Sequence, residues 1–159
     1  MKFNTKLLHG KAGRNTPDGA TLPGISQVSA FSYDSAEHLE KVFGNKAPGF
    51  AYTRIGNPTV AAFEQRINEV EGGTGAVACA SGMAAITSAL LNILSAGDEI
   101  IAGSGLFGGT IDLFKDLEAF GITTHFIPHI TVEDIKPVLN KNIKAVFGEI
   151  IGNPGLDVV

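Results

Sequence analysis

Between residues 76 and 150, short apolar runs alternate with stretches in which apolar residues recur at helical spacing, and that alternation leaves few ways to fold. Residues 76–79 (Ala-Val-Ala-Cys), 99–102, 122–127 and 145–150 read as strands, with 83–94, 108–120 and 131–139 as helices between them. Glycine marks the joints, Gly97 after the first of these helices and Gly121 after the second. Thr131 can cap the third helix, and Asp134 three residues on brings it close to a capping box. Such a pattern builds a largely parallel sheet covered by helices, because parallel neighbours need a crossover and a helix supplies it. The expected fold class is α/β.

Residues 1–58 are different. They show weak periodicity, many Gly, Pro, Asn and Ser residues, and one short helical stretch near 35–43. A segment that long without its own core is expected to be an arm that packs on the following domain or on a partner subunit. From residue 59 the character changes: Val60, Phe63, Ile67 and Val70 recur at helical spacing, with Glu64, Arg66 and Glu69 between them, until Gly72-Gly73 stops the run. The organisation read from the sequence is an arm over 1–58 and a domain over 59–159. After the Asn153-Pro154-Gly155 turn the chain ends in Leu156-Asp157-Val158-Val159 with no polar tail, so the domain is expected to be incomplete and the chain a truncated one.

Composition excludes several classes. A length of 159 residues with 44% hydrophobic and 18% charged residues suits a globular chain that buries a core. A net charge of -4 with scattered signs gives no basic stripe for nucleic acid. The polar N-terminus lacks the apolar centre of a signal peptide, and no stretch approaches the roughly 20 apolar residues of a membrane span, so the cytoplasm is the expected location. Cys79 is the only cysteine, which rules out an intrachain disulfide or a cysteine zinc cluster. It is expected to be a small buried residue, and no metal site is expected.

Four short motifs could carry chemistry. In Ala80-Ser81-Gly82-Met83-Ala84 small residues stand where a strand hands over to a helix; free amides and the helix dipole there attract an anion, or Ser81 simply caps the helix and Gly82 permits close packing. Tyr52-Thr53-Arg54-Ile55-Gly56-Asn57-Pro58-Thr59 lies on the arm. Its guanidinium and phenol suit an anion held elsewhere, or they are a surface arginine and a half-buried tyrosine beside a helix start at Asn57-Pro58. Gly105-Leu106-Phe107-Gly108-Gly109-Thr110 places a ring in a glycine-rich loop after a strand, where it stacks on a flat ligand or enters the core. Glu149-Ile150-Ile151-Gly152-Asn153-Pro154 puts a carboxylate and an amide at a strand end, facing a crevice or serving the turn.

Taken together and in this order, Tyr-Thr-Arg-Ile-Gly-Asn-Pro-Thr, Ala-Ser-Gly-Met-Ala-Ala, Phe-Gly-Gly-Thr and Gly-Asn-Pro resemble the Cys/Met-metabolism (trans-sulfuration) enzymes that depend on pyridoxal 5'-phosphate, and the resemblance runs the length of the chain. It implies the N-terminal arm and part of the mostly parallel-sheet large domain of a fold-type I pyridoxal-phosphate transferase. It also implies that Ser81, Gly82 and Met83 cradle the cofactor phosphate, and that Tyr52 and Arg54 reach the phosphate of a neighbouring subunit, in a homotetramer of dimers that share active sites. Phe107 would stack on the pyridine ring, Glu149 would lie close behind the site, and Asn153 would hydrogen-bond the phenolic oxygen.

In the family's lyases the stacking residue is usually a tyrosine whose hydroxyl moves protons, and Phe107 has no hydroxyl. That difference, Leu-Phe-Gly-Gly-Thr followed by Ile-Asp-Leu-Phe, and the opening over 5–22 are most similar to the O-acetylhomoserine sulfhydrylases, which exchange acetate for sulfide or a thiol. Cystathionine gamma-synthases and methionine gamma-lyases are the near alternatives. A non-catalytic module that binds a phosphorylated metabolite, or pairs with a related subunit, is the alternative of another class. The Schiff-base lysine and the aspartate that meets the pyridine nitrogen come after Gly-Asn-Pro in such enzymes; none of the nine lysines here stands in the family's lysine motif, so the chain alone is expected to be inactive.

Overall fold

The computed structural model of the protein describes residues 2–10 and 19–158. Residues 11–18 of the sulfhydrylase-like opening, and Val159 of the apolar ending, lie outside the described residues. The chain divides into two compact units, Met1–Ala78 and Cys79–Val159.

Among its described residues the first unit holds three helices, α1 (Phe3–His9), α2 (Ala36–Phe43) and α3 (Pro58–Glu71). Only α1 is absent from the sequence reading. Its stability is tertiary: Arg66 of α3 donates from Nη1 to the carbonyls of Lys6 and Leu7, 2.8 Å each, and so satisfies last-turn acceptors that have no intrahelical partner. Helix α2 begins where Ser35 Oγ accepts from the His38 amide at 3.2 Å, as the helical stretch near 35–43 implied. Helix α3 starts at the Asn57 cap with Pro58 in its first turn and stops at Gly72, whose φ of 68° is the left-handed conformation glycine adopts without a Cβ penalty. None of its residues is buried, and its apolar stripe of Val60, Phe63 and Ile67 is exposed.

The second unit runs α4 (Gly82–Ile93), β1 (Glu99–Gly103), α5 (Gly108–Leu117) with a 3-10 turn over Glu118–Phe120, β2 (Thr123–Ile127), α6 (Val132–Ile135) and β3 (Ile143–Phe147). All strand pairings are parallel and the order is β2-β1-β3, as expected for strand and helix in alternation. Strand β1 is central. Ile100, Ile101 and Ala102 are 0% exposed, three in succession, because a central parallel strand is covered on both faces. Leu90 of α4, Leu94 at its C-cap, and Phe114 and Leu117 of α5 join Ile100 and Ala102 in one core cluster. The Phe114 ring meets Phe147 of β3 edge-on, with centroids 5.2 Å apart.

The structure corrects four expectations. Residues 76–79 form no strand and pair with none among the described residues, and Val77 is exposed. An apolar run becomes a strand only where a neighbour offers a ladder; here the Ala78 amide donates to Glu64 Oε1 at 2.8 Å. Cys79, expected inside, is exposed, since the segment that carries it has no sheet to bury it. The helix expected over 131–139 shortens to α6: Thr131 Oγ1 does accept from the Asp134 amide at 3.2 Å, but Pro137 has no N–H to continue the ladder. The strand expected over 145–150 is shifted toward the N-terminus, because the ladder to β1 ends at the Ala102–Phe147 pair and leaves Gly148 and Glu149 in a loop.

At the opposite edge of the sheet Glu99 ties the strand starts together. Its Oε2 accepts from Asn140 Nδ2 at 2.9 Å and lies 2.5 Å from His125 Nε2 of β2, and its Oε1 accepts from Asn142 Nδ2 at 3.1 Å. The hydrogen bond from Asn140, then those from His125 and Asn142, favour the ionised form and lower the pKa from 4.5 to about 2. A depressed carboxyl stabilises the fold above its unfolded pKa and loses that contribution as pH falls through the folded value. Glu99→Gln is therefore expected to destabilise the second unit most above pH 4.5, with the gap to the parent closing as pH falls toward 2, read from urea midpoints along that range. Phe114→Ala, at a site that is 0% exposed, is expected to cost about 3–5 kcal/mol in the same unfolding measurement.

Candidate functional site

Parallel strands finish at one edge, so the residues that follow β1, β2 and β3 gather there. From the central β1 the chain moves to a neighbour on one side and then crosses to the other, and the loops diverge at such a point, where parallel sheets bind ligands. A cavity of about 640 Å³ opens at this edge, lined by Ser104, His129, Glu149, Asn153 and Asp157 among others.

Two of its loops are joined. The Asn153 amide donates to the Gly105 carbonyl at 3.3 Å, and the Phe107 amide donates to Glu149 Oε1 at 3.1 Å. Gly152 permits the approach: a Cβ there would lie 3.0 Å from the Gly105 carbonyl oxygen. The far side of the same loop closes on itself through Gly152 N–H to the Asp157 carbonyl at 2.7 Å, and the Asn153–Pro154 peptide is cis. The structure thus brings Phe107, Glu149 and Asn153 to one rim. The Phe107 ring is half exposed rather than in the core, and the Asn153 side chain is exposed.

Ser81, Gly82 and Met83 lie at the start of α4 in the same unit. Ser81 does cap the helix, its Oγ accepting from the Ala84 amide at 3.1 Å, and its hydroxyl proton remains available to a ligand. The amides of Gly82 and Met83 stand in the first turn, where no intrahelical acceptor exists, and the space beside the Gly82 Cα is open to 4 Å. The cap is therefore formed, and the amides left open at a positive helix end are of the kind that fits a small dianion such as a phosphate ester.

Tyr52 and Arg54 belong to the first unit. Tyr52 bridges Ala30 in antiparallel fashion, the Thr53 amide donates to the Ser29 carbonyl at 2.9 Å, and Thr53 Oγ1 donates to the Val28 carbonyl. Pinned by Thr53, the turn leaves Tyr52 and Arg54 exposed, with the guanidinium carbon 5.0 Å from the centre of the phenol ring. Sequence reasoning took Asn57 only as a helix start. It is buried, 5% exposed, and besides capping α3 it donates from Nδ2 to the Ser26 carbonyl at 3.1 Å and to Thr53 Oγ1 at 3.0 Å, so it also holds the turn that presents Arg54. The only signal for it was Asn-Pro ahead of a helical run.

Among the described residues there is no group of three or more His, Cys, Asp or Glu side chains placed to hold a metal ion, and no helix is long and apolar enough to cross a membrane.

Against this geometry the relatives are consistent. O-acetyl-L-homoserine sulfhydrylase of Corynebacterium glutamicum is 40% identical over 159 residues, and L-methionine gamma-lyase of Fusobacterium nucleatum subsp. polymorphum is 36% identical over 158. Each alignment takes in 99% of this chain, which spans 36% and 40% of those proteins' lengths. A crystal structure of a putative O-acetylhomoserine (thiol)-lyase from Campylobacter jejuni, carrying N'-pyridoxyl-lysine-5'-monophosphate, superposes with a TM-score of 0.87 at 31% identity over 99% of this chain and 39% of that one. The fold is thus that of the fold-type I pyridoxal-phosphate enzymes. With residues 4–159 matching the profile of the Cys/Met metabolism PLP-dependent enzymes, the chain belongs to that family.

Proposed function

We propose that this chain is the N-terminal part of an O-acetylhomoserine sulfhydrylase, in which acetate at the gamma carbon of O-acetylhomoserine is replaced by sulfide or a thiol in methionine and cysteine metabolism. The observation that carries the reading is Phe107, without a hydroxyl and bonded through its amide to the cavity-lining Glu149, in a chain 40% identical to the sulfhydrylase of C. glutamicum. Methionine gamma-lyase is the second reading, favoured by the 36% identity to such an enzyme.

When bound, pyridoxal phosphate supplies an electron sink for negative charge that develops on substrate carbons. The chain's own residues divide the work of holding it. Ser81 Oγ–H and the amides of Gly82 and Met83 bind the phosphate at the head of α4. Arg54, preorganised by its stacking on Tyr52, brings a planar pair of donors to the phosphate of a neighbouring subunit, with the Tyr52 hydroxyl beside it. Phe107 lays its ring against the pyridine, Asn153 donates from its side-chain amide to the phenolic oxygen, and Glu149 stands behind them. Phe107 orients and excludes water but moves no proton. Residues 1–58 act as the arm that delivers Tyr52 and Arg54 across a subunit boundary of a cytoplasmic homotetramer, and the exposed stripe of Val60, Phe63 and Ile67 supports burial against further polypeptide. None of the nine lysines stands in the family's anchoring motif, so the 159-residue segment by itself does not turn over.

The full-length polypeptide that carries this segment is expected to form homocysteine and acetate from O-acetylhomoserine and sulfide, followed by thiol product and acetate release; turnover on methionine alone would overturn the assignment. In the same protein Arg54→Ala is expected to weaken cofactor retention about tenfold or more, the loss of a charged hydrogen bond, while Cys79→Ala stays within about twofold. Cofactor absorbance after dialysis measures both, and equal retention would count against the phosphate role of Arg54.

A further inference from the structure

Phe107 occupies the N-cap of α5, a position that normally carries a side chain able to accept from the helix's first amides, and it makes no such bond. Its ring is also poorly held by packing: half of it is exposed, and on one side it lies over Gly109, where an added Cβ would come within 2.7 Å of Cε1. With little packing to hold it, such a ring stands where its own Cα stands and samples only the rotamers its backbone allows. That backbone has one side-chain hold, the bond from the Phe107 amide to Glu149 Oε1 at 3.1 Å. The acceptor reaches across 42 residues of sequence, from the loop after β3 to the loop after β1. Glu149 stands four positions before Asn153, whose amide donates to the Gly105 carbonyl at 3.3 Å, so the two loops are fastened at two points.

We propose that Glu149 is a positioning residue. Its carboxylate clamps the Phe107 amide and thereby fixes the angle of the ring relative to Asn153, and it makes no contact with the cofactor itself. Its value lies in being an acceptor of the right length rather than in its charge. The proposal rests on the reading of Phe107 as the stacking residue in one respect only, the effect of the ring's angle on the cofactor; the clamp itself is independent of it.

The test uses the full-length polypeptide with Glu149→Gln, Glu149→Asp and Glu149→Ala. Glutamine keeps an acceptor oxygen at the same reach, and aspartate keeps the charge but is one methylene shorter. Amide hydrogen exchange over residues 105–110 of the cofactor-free protein is expected to quicken about tenfold in Glu149→Ala and Glu149→Asp and to stay near the parent rate in Glu149→Gln. With pyridoxal phosphate bound, the visible circular dichroism of the cofactor is expected to follow the same order, with Glu149→Gln restoring the parent signal. Parent-like exchange in Glu149→Ala, or Glu149→Asp matching the parent while Glu149→Gln does not, would overturn the clamp. Where Glu149→Ala fails to fold, the contrast of Glu149→Gln with Glu149→Asp decides alone. Phe107→Ala separates the two readings: an unchanged cofactor signal in that variant sinks the stacking role of Phe107, and the exchange rates still decide for or against the clamp.

Discussion

Burial of the central strand is the constraint on which the second unit hangs. Ile100, Ile101 and Ala102 are all 0% exposed, and covering two consecutive isoleucines contributes roughly 1.5–3 kcal/mol each. That requires cover on both faces and strands on both sides: Leu90, Leu94, Phe114 and Leu117 from α4, its C-cap and α5 join Ile100 and Ala102 in one cluster, and β2 and β3 flank β1. Once β1 is fixed in this way, the residues after Gly103 and Phe147 have no choice but to meet at the same edge. The cavity follows from the strand order, and the loops around it follow from where each ladder stops.

The rim depends on finer interactions. Gly152 and Gly105 approach backbone to backbone, and two hydrogen bonds, Asn153 N–H to the Gly105 carbonyl and Phe107 N–H to Glu149, join loops that are far apart in sequence. In the first unit the comparable device is Asn57, which caps α3 and at the same time holds Ser26 and Thr53. Each unit therefore presents candidate site residues, Arg54 in the first and Phe107 and Asn153 in the second, from a turn fastened by buried or paired polar groups. A turn held in this manner loses little conformational entropy when a ligand arrives, and that favours binding.

Much of this was legible in the residues. Helix α3 announced itself by Val60, Phe63, Ile67 and Val70 and by the Gly72 stop, and the succession from α4 to β2 by period and glycine punctuation. The Ser81 turn was visible as small residues between a strand-like run and a helix, although whether it capped or bound was not, and in the structure it caps while leaving amides open. Apart from α6, which Pro137 cuts short, what failed did so for want of a distant partner that the sequence does not display. Residues 76–79 carry a strand's composition and find no partner, α1 lacks a sequence signal and is held by Arg66 from another helix, and β3 stops where its ladder to β1 ends rather than where apolar residues do.

The sequence alone determined the α/β class, the order of the elements of the second unit and the four motifs with their residue types, because period, capping and turn chemistry act within a few residues. Tertiary structure decided which apolar runs became strands, that Cys79 and Val77 stand exposed, and that Phe107, Glu149 and Asn153 share a rim. Those outcomes turn on ladder partners and on bonds across 42 residues of chain, and no local pattern encodes a partner that distant.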